Sequence, residues 1–235
     1  MNKNNIYVLI HSPLVGGLTW TLVACEMWQR GLDVVVPILN DSPDSKEPYW
    51  KQHSESVPHA LAQIPKDRTV TLVAHSGAGP LLPAIRQMLA NPVNAYVFVD
   101  AGIPHHGASR LDLMREEDPG WAEQLQAGLE RGERFPNWNS DDLREIVPDQ
   151  NLREKLVAEI HPRALDFFTE PIPVFNGWPD APCVYIQFSA AYRRPAAQAR
   201  QSGWSTYELE AGHFHMLIDP KTVTDMIIEA AGKLA

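Results

Sequence analysis

Apolar residues recur along the chain in two rhythms. Short, nearly continuous apolar runs occupy residues 6–10, 33–37, 69–74 and 95–100. Such runs are the length of strands and show no alternation with polar residues, which predicts strands buried on both faces. Between them, residues 18–30, 53–63 and 81–89 carry helical spacing and stop at Gly31, ahead of Pro65 and ahead of Asn91-Pro92, where helices commonly end. This alternation predicts a mostly parallel sheet with crossover helices on both faces, an α/β fold. The rhythm changes after Pro104. Residues 105–180 hold no convincing strand, only helical patches at 120–131, 140–146, 151–160 and 163–168. Within them Ser140-Asp141-Asp142 predicts a helix cap followed by an acidic first turn. Strand–helix alternation then resumes with strands at 183–189 and 205–209 and helices at 195–201 and 222–234. The expected organisation is one α/β core, residues 1–104 and 181–235, interrupted by a helical cap at 105–180.

Composition narrows the function. The chain of 235 residues carries 20 Lys plus Arg against 29 Asp plus Glu, a formal charge of −9. An acidic chain lacks the basic footprint of nucleic-acid binding and is poorly suited to anionic membrane surfaces. Residues 105–180 hold 16 acidic and 8 basic residues, so nearly all of the surplus lies in the insertion, where it reads as solvated helix faces. The apolar runs are too short for a membrane-spanning helix, and the first residues lack the pattern of a secretory signal. A cytoplasmic protein with a small-molecule substrate is the expectation; oligomeric state is not encoded. Cys25 and Cys183 do not form a disulfide framework or a CxxC motif. No trio of histidines has metal-ligand spacing. No Gly-Lys-Ser/Thr or G-x-G-x-x-G motif is present. Neither metal nor cofactor is therefore expected.

The most informative stretch runs from Thr69 to Gly79. An apolar strand leads into Ala74-His75-Ser76-Gly77-Ala78, with small residues two positions either side of the serine, and a helix pattern follows. A serine on a sharp strand-to-helix turn needs small neighbours there, because strand and helix approach closely. Such a turn lifts the Ser76 hydroxyl above the sheet edge. It also places the Gly77 N–H at a helix start, where a developing oxyanion can be bound. A general base is expected after the last strand. His213, in Ala211-Gly212-His213-Phe214-His215, is the natural candidate, with His215 the competitor. His105-His106 lies at the mouth of the insertion, within reach of a substrate, and His53, His59 and His161 read as surface or interface residues.

With these residues in view, the chain resembles the α/β-hydrolase superfamily, in particular its small esterase and hydroxynitrile-lyase-like branch. Three segments carry the resemblance: residues 10–20 with His11-Ser12-Pro13, the Ser76 turn, and Ala211-Gly212-His213. Their order and spacing extend it over nearly the whole chain. The resemblance implies a serine–acid–histidine triad, with a second oxyanion donor from the first loop. Two positions depart from the family pattern. Pro13 stands where a backbone donor is usual and has no N–H, which leaves the Ser12 hydroxyl or the Leu14 N–H as substitutes. The loop at 189–194 lacks the usual acid, and Asp100, ending the strand at 95–100, is the alternative position that some members of the superfamily use.

The expected activity is hydrolysis of a small, neutral or apolar carboxylic ester or thioester. Ser76, His213 and Asp100 are the expected catalytic residues, and Gly77, Ser12 and Leu14 the oxyanion candidates. His11, His75, His105 and Phe214 are candidate pocket residues, beside the aromatic side chains of the insertion. The alternatives are a cyanohydrin-type lyase, suggested by Ser12, and a catalytically weak ligand receptor.

Overall fold

The apolar runs become six parallel strands: β1 (Asn5–Ile10), β2 (Asp33–Val35), β3 (Thr69–Ser76), β4 (Val93–Ala101), β5 (Cys183–Gln187) and β6 (Ser205–Glu208). The structure, a computed structural model, describes residues 4–42 and 44–233. The strands lie in the order β2-β1-β3-β4-β5-β6, so β3 and β4 sit at the centre of the sheet. Alternate residues of one strand face opposite layers, as the pleat requires. Val8, Leu72, Phe98 and Tyr185 pack with Val57 of α2 (Tyr49–Ala60), Ile85 of α3 (Leu82–Met88) and Ala199 of α8 (Arg193–Gln201). Leu9, Val73, Val97 and Val184 pack with Trp20 and Val23 of α1 (Leu18–Gln29) and Ile227 of α9 (Pro220–Gly232).

Between β4 and β5 lie α4 (Arg110–Glu117), α5 (Pro119–Glu130), α6 (Gln150–Ala158) and α7 (Leu165–Thr169). Helices α4, α5 and α7 build a third apolar cluster from Leu111, Ala122, Leu129, Phe167 and Phe168, to which Leu14 of the core contributes, while Leu156 of α6 packs with the layer of α1 and α9. Two differences from the sequence reading stand out. Helix α4 was not anticipated, because its sequence is polar and lacks an apolar stripe. Its signal is a capping box: Ser109 Oγ accepts the Asp112 N–H, while the Asp112 carboxylate accepts the Ser109 N–H. Residues 140–146, expected as a helix capped by Ser140, form turns instead. Asn139, not Ser140, receives the Asp141 and Asp142 N–H groups. Ser140 Oγ is taken by Arg153 Nε, and Arg153 also claims the Val147 and Pro148 carbonyls.

Carboxylates of the insertion also cap helices of the core. Glu159 Oε2 accepts the Leu18 N–H at the start of α1, in space that a side chain at Gly16 would occupy. Glu170 accepts the Tyr49 and Trp50 N–H groups at the start of α2 and pairs with the buried Arg110 at 2.7 Å. Each places negative charge at a helix N-terminus, where unpaired N–H groups and the macrodipole favour it. Part of the insertion's acidity is thus structural rather than solvated. Replacing Glu170 by alanine strips Arg110 of its carboxylate and α2 of its cap. The expected loss of stability is about 3–5 kcal/mol, as for other broken buried ion pairs. Urea denaturation measures it, and a loss below 1 kcal/mol would contradict this role.

Candidate active site

Among the described residues only two non-glycine residues have positive φ: Ser76 at +55° and Asp100 at +44°. Such conformations cost on the order of 1–3 kcal/mol each and persist where the surroundings over-determine them. Here the surroundings are two adjacent strand ends. Ser76 closes β3, and its carbonyl accepts the Gly102 N–H at 3.2 Å. Tyr185 of β5 holds the residue after Asp100 from both sides, its hydroxyl accepting the Ala101 N–H and donating to the Ala101 carbonyl. Ala74 and Ala78, the small residues flanking Ser76, are fully buried. A Cβ at Gly79 would lie 2.1 Å from the Gly102 carbonyl oxygen, so glycine is needed where the turn meets the β4 exit.

Asp100 is fully buried. Its Oδ1 accepts the Phe188 N–H at 2.8 Å and the Ser189 N–H at 3.0 Å. Its Oδ2 accepts the Ser189 hydroxyl at 2.6 Å and faces His213 Nδ1 at 2.9 Å. A carboxylate holding the Nδ1 proton leaves His213 Nε2 as the ring's free lone pair. The main chain of His213 is held as well, its carbonyl accepting a hydrogen bond from His75 Nε2 at 3.0 Å. His75 is wholly buried, and desolvation pushes its pKa well below the ordinary value, so it stays neutral. His215 turns elsewhere and packs edge-on against Phe188.

Tyr192 is the residue that sequence reasoning missed. Its ring lies parallel to the His213 imidazole, 5.0 Å between centroids and 3° apart in plane. Its hydroxyl sits 3.2 Å from Ser76 Oγ. Burial, reinforced by Glu117 and Asp100, pushes its pKa upward, so the phenol remains a neutral donor. It stands in the loop at 189–194, the segment that lacks the expected acid, and no motif signals it.

On the opposite side of Ser76, residues 12–15 form a turn in which the Ser12 carbonyl accepts the Val15 N–H. The Leu14 N–H points at Ser12 Oγ, 3.3 Å away. That hydroxyl therefore caps its own turn yet keeps its proton to donate, while the Leu14 N–H is engaged. A Cβ on Gly77 would come within 3.0 Å of Ser12 Oγ, so the bare glycine lets the hydroxyl close in beside the Gly77 backbone.

These groups open onto a cavity of about 1000 Å³ lined by Ser76, His213, Tyr192 and the aromatic residues Trp121, Phe135, Trp138 and Phe214. A recess of about 50 Å³ continues from it past Ser12, Ser76 and Gly77. Of the expected pocket residues, Phe214 lines the large cavity. His11 does not: it is buried, with Nδ1 at the Ser12 carbonyl and Nε2 accepting the Leu39 N–H, and so braces the loop. His75 acts through His213, and His105 faces Glu116 and Gln198 away from Ser76. His53, expected at the surface or an interface, is buried against Asp41 and Phe167. Among the described residues no group of three His, Cys, Asp or Glu could hold a metal ion. Nor, among the described residues, is any helix long and apolar enough to cross a membrane.

No protein-family model matches the chain, and no curated protein matches it in sequence. Solved structures do match in three dimensions. An extracellular α/β-hydrolase from a Paenibacillus species, described as sharing homology with tobacco salicylic acid binding protein 2, aligns with a TM-score of 0.75 and 16% identity over 96% of this chain and 98% of its own. Polyneuridine aldehyde esterase gives 0.72 and 17% over 96% and 98%. A pyrethroid hydrolase from Sphingobium faniae JZ-2 gives 0.69 and 17% over 97% of both chains. The chain has the α/β-hydrolase fold.

The geometry makes Asp100 the group that orients His213. Asp100→Asn is expected to slow covalent labelling of Ser76 by a fluorophosphonate probe by up to ~10⁴-fold, the cost of an imidazole in the wrong tautomer. Time-resolved intact-mass measurement follows the labelling. Labelling at the unmodified rate in a folded variant would reduce Asp100 to a loop anchor.

Proposed function

We propose that this protein is a serine hydrolase that cleaves a carboxylic ester through an acyl-enzyme on Ser76. The observation that carries the reading is the Asp100–His213 hydrogen bond beside a serine held at positive φ, with both side chains opening onto one apolar cavity. Ser76 Oγ attacks the ester carbonyl carbon and passes its proton to His213 Nε2. Asp100 stabilises the imidazolium that results. The tetrahedral oxyanion receives the Gly77 N–H and the Ser12 hydroxyl, which takes the place of the donor that Pro13 lacks. The intermediate collapses as the carbon–oxygen bond to the alcohol breaks, and His213 returns its proton to the leaving oxygen. Water, deprotonated by His213, then attacks the acyl carbon and frees Ser76.

Tyr192 takes part through its hydroxyl. In the resting site Ser76 Oγ has the phenol as its hydrogen-bond partner. When substrate arrives, that proton is free to meet the charge developing on the leaving oxygen, while the ring holds the imidazole in plane. The helices at 105–180 act as a cap over the sheet edge, and their aromatic side chains receive the apolar body of the substrate. The names of structural neighbours, an esterase and a pyrethroid hydrolase among them, support ester chemistry on this fold. A cyanohydrin-type lyase is less well supported, since among the described residues no lysine lines the cavity near His213. Cys25 and Cys183 are both free thiols, which suits the reducing cytoplasm expected from the sequence.

A panel of p-nitrophenyl esters tests the activity. The expected result is a burst of p-nitrophenol stoichiometric with enzyme or a steady turnover, either of them abolished in Ser76→Ala. Retained turnover in that variant would end the proposal, and inertness with retained ligand binding would favour a receptor. Tyr192→Phe is expected to lower kcat about 10–100-fold with little change in KM, the worth of one hydrogen bond to a charged oxygen. An unchanged kcat would confine Tyr192 to packing.

A further inference from the structure

Glu117, the last residue of α4, takes no part in the chemistry above, yet it lines the large cavity together with Ser76 and His213 and the recess together with Ser12 and Gly77. It leans over the β4 exit, its Oε1 3.7 Å from where a Cβ on Gly102 would stand. Among the described residues, no hydrogen bond or cation supports its carboxylate. No neighbouring cation forms an ion pair with it: Arg110 Nη1 binds Glu170 and the Phe167 carbonyl while its Nε and Nη2 have no hydrogen-bond partner, Arg194 donates to the Glu116 carbonyl, and Arg193, also in the cavity lining, is exposed. What faces Glu117 electrostatically is more negative charge, from Asp100 below and Glu116 beside it.

Burial first, then Asp100 and Glu116, push the Glu117 carboxyl up to about 7. The same cavity is lined by a chain of aromatic rings, Trp121–Phe135–Trp138–Phe214, with successive centroids 5.4, 5.5 and 6.2 Å apart. A carboxylate without a salt-bridge partner in a cavity lined by aromatic rings is complementary to an organic cation with an apolar shell. A neutral alcohol would leave Glu117 unpaired, and an anionic one would be repelled by Glu117 and Asp100 together.

We propose that Glu117 is a specificity residue for the ester hydrolysis inferred above, its carboxylate receiving a quaternary or protonated tertiary ammonium carried by the alcohol part of the substrate. This rests on the hydrolase reading and replaces the neutral alcohol expected from the sequence by a cationic one. The pH dependence follows from the charge. Above about pH 7 Glu117 is ionised and pairs with the cation; below it the carboxyl is neutral and the preference fades. Tyr185 and Tyr192, which also face Glu117, are pushed further above their ordinary range and keep their protons. Any pH dependence of the chemical step itself is common to both esters of a matched pair and cancels in their ratio.

The matched pair is acetylcholine and its uncharged isostere 3,3-dimethylbutyl acetate, compared by kcat/KM. At pH 8 the protein is expected to favour the cation by about tenfold or more, and the ratio should approach 1 in Glu117→Gln. Because the ratio is taken within each protein, a partial loss of folded material cancels. In the unmodified protein the ratio should also fall between pH 8 and pH 6, a change the quaternary nitrogen cannot cause since it does not titrate. A ratio near 1 at every pH, or one unaltered in Glu117→Gln, overturns the assignment while leaving the hydrolase reading intact. If neither ester is cleaved, tetramethylammonium is titrated calorimetrically into the unmodified protein and Glu117→Gln at pH 8. Binding weakened about tenfold by the substitution keeps the cation site and removes the hydrolase. Equal binding, or none, removes the site.

Discussion

The hydrogen bond between Asp100 and His213 is the constraint around which the sheet edge is organised. A buried carboxylate carries a desolvation cost of several kcal/mol unless donors surround it, and Asp100 gathers its donors from two separate segments. The Phe188 and Ser189 groups come from the β5 exit, and His213 comes from the loop after β6. Three strand ends are thereby tied to one side chain. The strained backbone at Asp100 follows from the same demand, since a residue in ordinary extended conformation would continue the strand rather than turn its carboxylate toward the neighbouring loops. Tyr185 supports that conformation from β5 by satisfying both backbone groups of Ala101.

The insertion sits on this edge by an exchange of charge. Glu159 and Glu170 occupy the N-termini of α1 and α2, so helices of the core carry caps supplied from far along the chain. Arg163 answers in the other direction, binding both oxygens of Asp41. These contacts fix where the aromatic residues of the insertion stand relative to Ser76 and so define the cavity between them. They also change the meaning of the acidic surplus. Some of those carboxylates hold the insertion in place, and Glu117 faces the cavity without a partner.

Around Ser76 stand two neutral hydroxyls, those of Ser12 and Tyr192. Pro13 withdraws a backbone donor, and the Ser12 hydroxyl stands beside Gly77 with its proton uncommitted. The loop at 189–194 carries no acid; Asp100, at the end of β4, holds His213 Nδ1, and Tyr192 lays a phenol against both the serine and the imidazole. Neutral donors of this kind add no net charge to an edge that already bears Asp100 and Glu117.

Local pattern alone determined the strands and their parallel pairing, and it singled out Ser76 and His213, which the fold brings to one sheet edge. Each of these depends on spacing within a few residues: continuous burial for the strands, small neighbours for the turn, a histidine just past the last strand. Asp100 was legible because an acid ending a buried strand calls for a partner, although only the fold shows which partners it finds. Tertiary structure decided the rest. Tyr192 and Glu117 have no local signature, since what matters is that a ring stacks on an imidazole 21 positions away and that a carboxylate on α4 finds no cation. Helix α4 was decided by a polar capping box, a contact that apolar spacing does not register. Pattern along a chain reports which residues are buried; which charges and hydroxyls meet across the space above the sheet depends on packing between segments far apart in sequence.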